Sequence, residues 1–300
     1  MNIEKYIKIF EAVNIISEKT GVKPYAVGGL VRDIILDRET LDIDILVEGD
    51  SFTFSKQLQR YIGGVNFNYS RKFGTASFEV LENIVNFESN EPLKIDVART
   101  REERYSYPGA IPDITFTDSV IKDLSRRDFS ANAIAMDLKS YQLIDPFNGV
   151  NDINNKSLKI LHPKSISDDP TRIFRGVRFS LKFGFSLADE TISSLQEAKK
   201  VGAFKNTDGD RILAELRLAA KEKFFFRYIL NLDSLNVLFS VFPSLSVSRK
   251  LEELEKLDEE SEPEKKLATF LSSFDDEVLK RLRVSKKLLQ QIQNKRETNS

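Results

Sequence analysis

The sequence predicts an α+β fold, in which an N-terminal domain with a mixed or antiparallel sheet and helices is followed by an all-α remainder. Two observations carry this prediction. Runs that alternate apolar and polar residues, as half-buried strands do, lie before residue 100. After the turn signal in Leu143–Gly149, which holds Pro146, Asn148 and Gly149, the periodicity becomes helical nearly to the end. The boundary is therefore expected close to residue 140.

The elements follow from local patterns. Residues 3–19 have helical periodicity, and Gly21 is the expected stop. Gly28 and Gly29 turn the chain into a helix over residues 30–36, and another helix is expected over residues 124–137. Strands are expected over residues 25–27, 41–47, 74–81, 84–88 and 94–98. In the all-α part, helices are expected near residues 170–183, 189–200, 208–222, 223–239, 249–258, 263–273 and 275–294.

The composition restricts the available chemistry. The 300 residues include no cysteine and a single histidine, His162, which excludes disulfides and thiolate metal sites and leaves little for imidazole catalysis. Any chemistry must therefore rest on carboxylates and cations. The N-terminal stretch mixes charges into its apolar residues, and no stretch approaches the ~20 apolar residues of a membrane span. We therefore expect a soluble, cytoplasmic protein.

The charges are balanced in number but segregated along the chain. The net charge of −1 arises from 45 basic and 46 acidic residues, which by itself argues against a nucleic-acid partner. Acidic residues crowd the segment 252–264, whereas Pro170–Phe183 has only basic charges. Such segregation can leave a local basic surface on a neutral molecule, although solvated helix faces of both signs are the plainer explanation.

The most informative segment is the expected strand Leu41–Val47, in which Asp42 and Asp44 alternate with Ile43 and Ile45. Side chains two residues apart on a strand point to the same face, so the two carboxylates project together from Cα atoms roughly 6.6 Å apart. They can converge on one or two Mg²⁺ ions, which would stabilise the attacking and leaving oxygens of a phosphoryl transfer. Taken alone, the pair also fits two solvent-facing aspartates.

A glycine turn, Gly28–Asp33 with the sequence GGLVRD, lies just upstream. Two glycines let a phosphate approach the backbone, the helix start supplies N–H donors, and Arg32 adds a charge-assisted contact. The alternative is an ordinary tight turn, because the segment matches neither the P-loop nor the dinucleotide fingerprint. Asp96 alternates with Ile95 and Val97 on its expected strand and is a candidate third carboxylate near the metals.

Two arginine-rich segments follow. In the first, Arg126, Arg127 and Asp128 are expected at the start of a helix, where an acid beside two guanidiniums can hold a ribose and its phosphates. A salt bridge at the helix entry is the alternative. In the second, Asp169 can cap a helix and Pro170 suits its first position.

The helix after Pro170 is expected to carry a cationic stripe. Arg172, Arg175 and Arg178 recur every three residues and so share one face. Arginine donors beside the Asp169 acceptor are what the recognition of a base edge requires. A plain basic surface helix is the alternative.

Basic residues near the C-terminus are candidates for contacts to the phosphates of a nucleic acid, although a solvated face is the simpler explanation for any one of them. The acidic run 252–264 is expected to face away from such a partner. The candidates are Lys265, Lys266, Lys280, Arg281, Arg283, Lys286 and Lys287.

In combination, these segments resemble the tRNA nucleotidyltransferase and poly(A) polymerase family of the polymerase-β superfamily, in its class II branch. Four motifs occur in the order of the family, and the resemblance covers roughly residues 20–220. The motifs are Gly28–Asp33 with Asp42 and Asp44, Arg126–Ala133, Asp168–Arg172 with Arg175 and Arg178, and Asp210–Leu216.

The resemblance implies a function and a division of the chain. It implies transfer of nucleotides from CTP or ATP to the 3′ end of tRNA, with release of pyrophosphate and with protein side chains acting as the template. It also implies a nucleotidyltransferase head over residues 1–139, an α-helical neck for base recognition over 140–205, and an α-helical body and tail that bind tRNA over 206–300.

The resemblance also implies roles for particular residues. Asp42 and Asp44 would bind Mg²⁺, in two ions, and Gly29 and Arg32 would contact the triphosphate. The remaining nucleotide-binding residues implied are Gly28, Asp33 and Asn132, with Arg127 and Asp128 for the ribose and Asp169, Arg172, Arg175 and Arg178 for the base.

The sequence leaves the reaction product and the oligomeric state open. Asp168 stands where the family usually has Glu, and Arg99–Pro112 resembles a subgroup that includes separate CC-adding and A-adding enzymes. Addition of A, of CC or of the full CCA therefore remains possible. A poly(A) polymerase acting on RNA 3′ ends is the nearest alternative, and a catalytically silent RNA-binding relative is a more distant one.

Overall fold

The computed structural model describes residues 3–81, 91–242, 255 and 262–298. The chain forms two compact units. The first consists of Met1–Arg104 and Asp113–Leu161, and the second of Tyr105–Pro112 and His162–Ser300. Among the described residues, no helix is both long and apolar enough to cross a membrane.

The first unit combines a sheet with helices, as the α+β prediction requires. Its helices are α1 (Ile7–Thr20), α2 (Gly29–Ile35), α3 (Ser51–Tyr61), α4 (Val120–Ser125) and α5 (Gly149–Asn154). Its strands are β1 (Lys23–Val27), β2 (Asp42–Glu48), β3 (Val65–Ser70), β4 (Thr75–Val80), β5 (Leu93–Arg99), β6 (Arg101–Arg104), β7 (Asp113–Phe116), β8 (Ala135–Asp137), β9 (Leu143–Ile144) and β10 (Ser157–Leu158).

The main sheet is mixed and has seven strands in the order β3-β4-β5-β2-β1-β8-β9. Strands β2 and β5 run parallel, and every other neighbouring pair is antiparallel. Strands β6 and β7 form a separate antiparallel pair. The central position of β2 places Asp44 between β5 on one side and the glycine turn after β1 on the other.

The two faces of the sheet differ in their covering. On one face, Ile43 and Ile45 of β2 are buried, and Tyr69 of β3 packs against Phe52 of α3 with ring centroids 4.9 Å apart. On the opposite face, Leu46 joins a buried cluster with Leu124 of α4. Asp44 shares this second face, because residues two apart on a strand point the same way.

The second unit is helical, as predicted. Its helices are α6 (Ser165–Asp168), α7 (Thr171–Phe183), α8 (Asp189–Lys200), α9 (Ala203–Asn206), α10 (Gly209–Ala220), α11 (Phe225–Ser234), α12 (Val237–Val241), α13 (Pro263–Leu271), α14 (Asp276–Arg281) and α15 (Lys286–Thr298). A short strand, β11 (Ser186–Leu187), separates α7 from α8. Edge-to-face aromatic contacts hold part of the core together, with Phe270 contacting Phe225 and Phe274 at centroid distances of 6.1 and 5.0 Å.

The helix expected over residues 124–137 is wrong. The structure has α4 ending at Ser125, a 3₁₀ turn over Ser130–Asn132 and strand β8. Phe129 is extended, and it pairs with Ile160 in an antiparallel bridge. Its neighbour Ser130 donates its N–H to the carbonyl of Lys159. Backbone groups of Phe129 and Ser130 are therefore used in pairing with residues 159–160 and are not available for hydrogen bonds within a helix.

Two long helices expected in the second unit are each divided. The helix expected over residues 223–239 breaks at Asn236, and the one expected over 275–294 breaks before α15, where Arg283 has φ of 50°. A left-handed residue ends a helix, and arginine gives no sequence signal for that conformation. The strand expected over residues 84–88 lies outside the described residues, as does the helix over 249–258 apart from Glu255.

Candidate active site

Strand β2 brings the predicted carboxylate pair to one face of the sheet. Asp42 is exposed and Asp44 is partly buried. The parallel register pairs Asp44 with Asp96 of β5, so a third carboxylate lies on the adjacent strand. On the other side, the Asp44 Oδ2 atom lies 3.5 Å from the position that a Cβ atom on Gly29 would occupy. The pair and the glycine turn are therefore neighbours, as the sequence predicted.

Asp44 has an unusual proton affinity. Burial raises the pKa of Asp44 to about 6, the Arg127 guanidinium opposes that rise, and the carboxylates of Asp96 and Asp42 add to it. The two neighbouring carboxylates that help to raise the pKa of Asp44 repel its charged form, and a bound cation would offset that repulsion. The donor chemistry therefore fits a divalent metal ion.

A divalent ion at this site needs only two carboxylates, Asp42 and Asp44, as protein ligands. Among the described residues, no three His, Cys, Asp or Glu side chains are placed to hold a metal by themselves. Lys94 engages Asp96, with 2.6 Å between Nζ and Oδ2. Mg²⁺ commonly takes one or two protein carboxylates and completes its shell with water and substrate phosphates. Asp42 and Asp44 alone suffice for that arrangement, and a metal-binding role for Asp96 stays a prediction.

The glycine turn holds two guanidiniums close to the carboxylates. Gly28 has φ of 61°, and a Cβ atom there would lie 2.7 Å from Nη1 of Arg127. Arg32 is only 7% exposed, donates from Nη1 to Oδ1 of Asn132 at 2.6 Å, and pairs with Asp33 at 2.9 Å. Glycine at position 28 is thus required by both its backbone angle and the arginine packed against it.

The second predicted segment lies next to the first, although not as the start of a helix. Asp128 accepts at Oδ1 from Nδ2 of Asn132 at 3.0 Å, and Asn132 in turn accepts from Arg32. Arg127 pairs with the buried Asp123 at 3.1 Å. Burial opposes ionisation of Asp123, but the Arg127 and Arg126 guanidiniums beside it hold its pKa below the usual range.

A cavity of about 300 Å³ opens beside the carboxylates within the first unit. Asp44, Asp96 and Arg127 line it. The opposite part of its wall comes from the neutral polar side chains of β3 and β4, which are Asn68, Ser70, Thr75 and Ser77. The sequence did not predict a role for those four residues.

In the second unit, the residues predicted to recognise a base lie at the start of α7. The Asp169 side chain accepts from the N–H of Thr171 at 3.0 Å, so it caps the helix as predicted. Its other oxygen pairs with Arg211 at 2.5 Å. Arg172 is only 4% exposed and donates from Nη1 to Oγ of Ser165 at 2.6 Å.

The arginines of the expected cationic stripe on α7 are paired within the fold. Arg175 and Arg178 both contact Glu215 of α10, at 3.4 and 3.2 Å. Both guanidiniums also lie over the ring of Phe179, with centroid distances of 5.3 and 4.8 Å. One buried carboxylate therefore fixes two arginines, and α7 is not a plain basic surface helix.

The acidic and basic partners of these residues were not predicted from the sequence. Arg211 and Glu215 both lie in the motif Asp210–Leu216, so their roles could have been inferred from its spacing of four residues, which places them on one helix face. Asp123 precedes the predicted arginines by three and four residues, which is also a helical spacing.

The basic residues near the C-terminus divide into two groups. Lys266 is 4% exposed, and its Nζ donates to the carbonyl of Glu222 at 3.0 Å, so the prediction that it contacts RNA is not compatible with its position. Arg281 donates to the carbonyl oxygens of Val241 and Phe204, both at 2.8 Å. The exposed members are Lys265, Lys280, Arg283, Lys286 and Lys287, of which Arg283 pairs with Asp210 at 2.8 Å.

Comparison with known proteins points to one family. Residues 24–159 match the family model described as Poly A polymerase head domain. The chain is 37% identical over 238 residues to an A-adding tRNA nucleotidyltransferase of Geobacter sulfurreducens, a match that covers 78% of this chain and 26% of that protein. An A-adding tRNA nucleotidyltransferase of Halalkalibacterium halodurans is 33% identical over 264 residues, which cover 86% of this chain and 59% of that protein.

A solved structure agrees with these sequence matches. The structure described as CCA-adding enzyme apo form II superposes with a TM-score of 0.78 at 31% identity, covering 98% of this chain and 71% of that one. The chain is shorter than its curated relatives, since it spans about a quarter of the Geobacter protein and about three-fifths of the Halalkalibacterium protein.

Proposed function

Because the chain belongs to the tRNA nucleotidyltransferase and poly(A) polymerase family, we propose that it transfers AMP from ATP to the 3′ end of tRNA and releases pyrophosphate. Members of this family use divalent metal ions. The observation that carries the proposal is the position of Asp42 and Asp44 on one face of β2, beside the glycine turn and the Arg127 guanidinium. The A-adding names of both relatives favour ATP over CTP.

The proposed roles in the first unit follow from charge and reach. Two Mg²⁺ ions, held by Asp42 and Asp44, would activate the attacking 3′-hydroxyl and neutralise charge on the leaving pyrophosphate. The backbone at Gly28 and Gly29 leaves room for the phosphates, and Arg32 supplies positive charge. Asp33 and Asn132 hold the Arg32 guanidinium from two sides, which limits its motion.

Arg127 and Asp128 belong to the ribose and phosphate side of the site. Arg127 is fixed by the buried Asp123, and its Nε is buried without a protein partner among the described residues. A buried donor that the fold leaves unsatisfied is a candidate for a substrate oxygen. Asp128 stays fixed through Asn132, so the acid has one orientation.

Base recognition is proposed for the start of α7. Asp169 offers an acceptor and Arg172 a set of donors, and both are held by partners of their own, Arg211 and Ser165. Arg175 and Arg178 support this end of the helix through Glu215. A rigid donor and acceptor pair can select one base edge over another, so no nucleic-acid template is needed.

The proposed organisation keeps a head at residues 1–139, a neck at 140–205 and a body and tail at 206–300, with tRNA contacts in the last. Lys265, Lys280, Lys286 and Lys287 are exposed there and suit phosphate contacts. A cytoplasmic location stays a prediction.

The test is product analysis on defined RNA ends. Purified protein is incubated with tRNA transcripts ending in the discriminator base, in C and in CC, with Mg²⁺ and either ATP or CTP. The proposal expects a single AMP added to the transcript ending in CC. CMP addition to the shorter ends would instead indicate CC or CCA synthesis. Long adenosine tracts would indicate a poly(A) polymerase.

A further inference from the structure

We propose that the neutral polar face of β3 and β4 binds the terminal nucleoside of the acceptor RNA, with Asn68 and Ser77 as its main contacts. The inference rests on the proposed transfer to an RNA 3′ end and states where that end lies. It concerns only residues of the first unit.

The strand register aligns four polar residues in one row across the sheet. Asn68 of β3 pairs with Ser77 of β4, Ser77 pairs with Asp96 of β5, and Asp96 pairs with Asp44 of β2. Directly paired residues present their side chains on the same face. The row therefore runs from an amide through a hydroxyl to the two carboxylates, and all four side chains line the same cavity.

The polar groups of the row are available to a ligand. Within the described part of the chain, the side chains of Asn68, Ser70, Thr75 and Ser77 have no hydrogen-bonding protein partner. The opposite face of the same strands is packed in the ordinary way, with Phe78 buried against Phe67 at a centroid distance of 6.2 Å. The open face thus offers donors and acceptors that the fold itself does not use.

The chemistry of the two sides of Asp44 differs. Towards β1 lie the glycine turn and the guanidiniums of Arg32 and Arg127, which suit a triphosphate. Towards β4 and β3, the row offers an amide and hydroxyls beyond Asp96, and the nearby Lys94 is paired with the Asp96 carboxylate at 2.6 Å. Uncharged donors and acceptors suit the ribose and base of a nucleoside better than they suit phosphates.

The geometry of phosphoryl transfer assigns the two sides. In an in-line displacement, the attacking and leaving oxygens lie on opposite sides of the phosphorus atom. If pyrophosphate leaves towards Arg32 and Arg127, the attacking 3′-hydroxyl arrives from the β5 side. Strands are spaced by about 4.8 Å, so Ser77 and Asn68 lie about 10 and 14 Å across the sheet from Asp44. The terminal nucleoside then extends from the carboxylates along the row.

The experiment uses the full chain with the double substitution Asn68→Ala/Ser77→Ala. Asn68 is exposed and Ser77 is half-buried, and among the residues that the structure describes neither side chain has a hydrogen-bonding partner that the substitution would remove. The matched control is Asn151→Ala, an exposed asparagine of α5 in the same unit that does not line the cavity. Steady-state AMP transfer is measured with a tRNA ending in CC, varying RNA and ATP separately, and urea unfolding checks the fold.

We expect the KM for RNA to rise about tenfold in the double variant, because two modest hydrogen bonds to the RNA are lost. The KM for ATP and the urea midpoint should stay unchanged. Asn151→Ala should match the wild type. A KM for RNA equal to that of the wild type would overturn the inference. A rise in the KM for ATP alone would also overturn it, because this face would then bind the incoming nucleotide. Absence of transfer by the wild type, in contrast, would refute the proposed function itself.

Discussion

Substitution of Gly28 by alanine tests whether the geometry of the glycine turn affects nucleotide binding as well as the free energy of unfolding. Gly28 has φ of 61° and ψ of −123°, a combination outside the left-handed helical well that other residues can tolerate. Holding alanine in such a region costs about 1–3 kcal/mol. The new Cβ atom would also lie 2.7 Å from Nη1 of Arg127, whereas ordinary contacts begin at 3.4 Å.

The second effect acts on the nucleotide site through Arg127. The guanidinium would have to move by roughly 0.7 Å to restore an ordinary contact distance. Arg127 is held by the buried Asp123 at 3.1 Å, so the movement stretches that ion pair. We expect Gly28→Ala to lower the free energy of unfolding by about 2–4 kcal/mol in total. ATP affinity should fall about tenfold or more, the usual effect of losing a charged hydrogen bond.

The assay pairs urea unfolding with calorimetric titration of ATP. The control is Gly21→Ala at the end of α1, where φ is 69° and, beyond its chain neighbours, no described residue has an atom within 4 Å of the added Cβ. Its cost should be about 1–2 kcal/mol from the backbone alone, with ATP affinity unchanged. If folded Gly28→Ala bound ATP as tightly as Gly21→Ala does, the inferred link from the turn through Arg127 to the nucleotide would be refuted.

Four further substitutions test the electrostatics. In metal-free buffer at pH 8, Asp44→Asn should raise the free energy of unfolding by about 3 kcal/mol. The pKa of Asp44 rises from 3.8 to about 6 on folding, so above pH 6 the folded wild type holds a destabilising charge that asparagine lacks. The gain should disappear below about pH 4, where the carboxyl is protonated in both states, and a pH-independent difference in urea unfolding would contradict it. Asp123→Ala should lower the free energy of unfolding by about 3–5 kcal/mol, since two guanidiniums lose a buried partner, and a loss below about 1 kcal/mol would argue against that network. Asp169→Ala and Arg211→Ala should each reduce discrimination between ATP and CTP more than they weaken triphosphate binding, and unchanged discrimination in Asp169→Ala would count against base recognition by side chains.

Local sequence patterns predicted the elements that hold the catalytic candidates. The alternation over residues 41–47 predicted β2, and the pair of glycines predicted the turn into α2, because period-two alternation and glycine have direct backbone causes. One readable signal was missed. Asp50 accepts from the N–H groups of Phe52 and Thr53, so α3 begins with an ordinary acidic cap followed by Phe54 and Leu58 at helical spacing.

Long-range pairing explains what the sequence did not predict. The segment after Arg126 has helix-forming residues, but Phe129 and Ser130 pair with residues 159–160 instead. The polar row is a similar case. Asn68, Ser77 and Asp96 become neighbours only through strand register, which no local pattern specifies. The pairing of Arg175 and Arg178 with Glu215 likewise depends on how α7 packs against α10.

The most direct test of the central claim is single-turnover AMP transfer by Asp44→Asn. The substitution keeps the shape of the side chain and removes the charge that the proposed metal site needs. With tRNA ending in CC, ATP and Mg²⁺, we expect the rate to fall about 10³-fold or more while the variant stays folded and keeps its affinity for RNA. Transfer at a rate close to that of the wild type would contradict the assignment of Asp42 and Asp44 as the metal-binding pair.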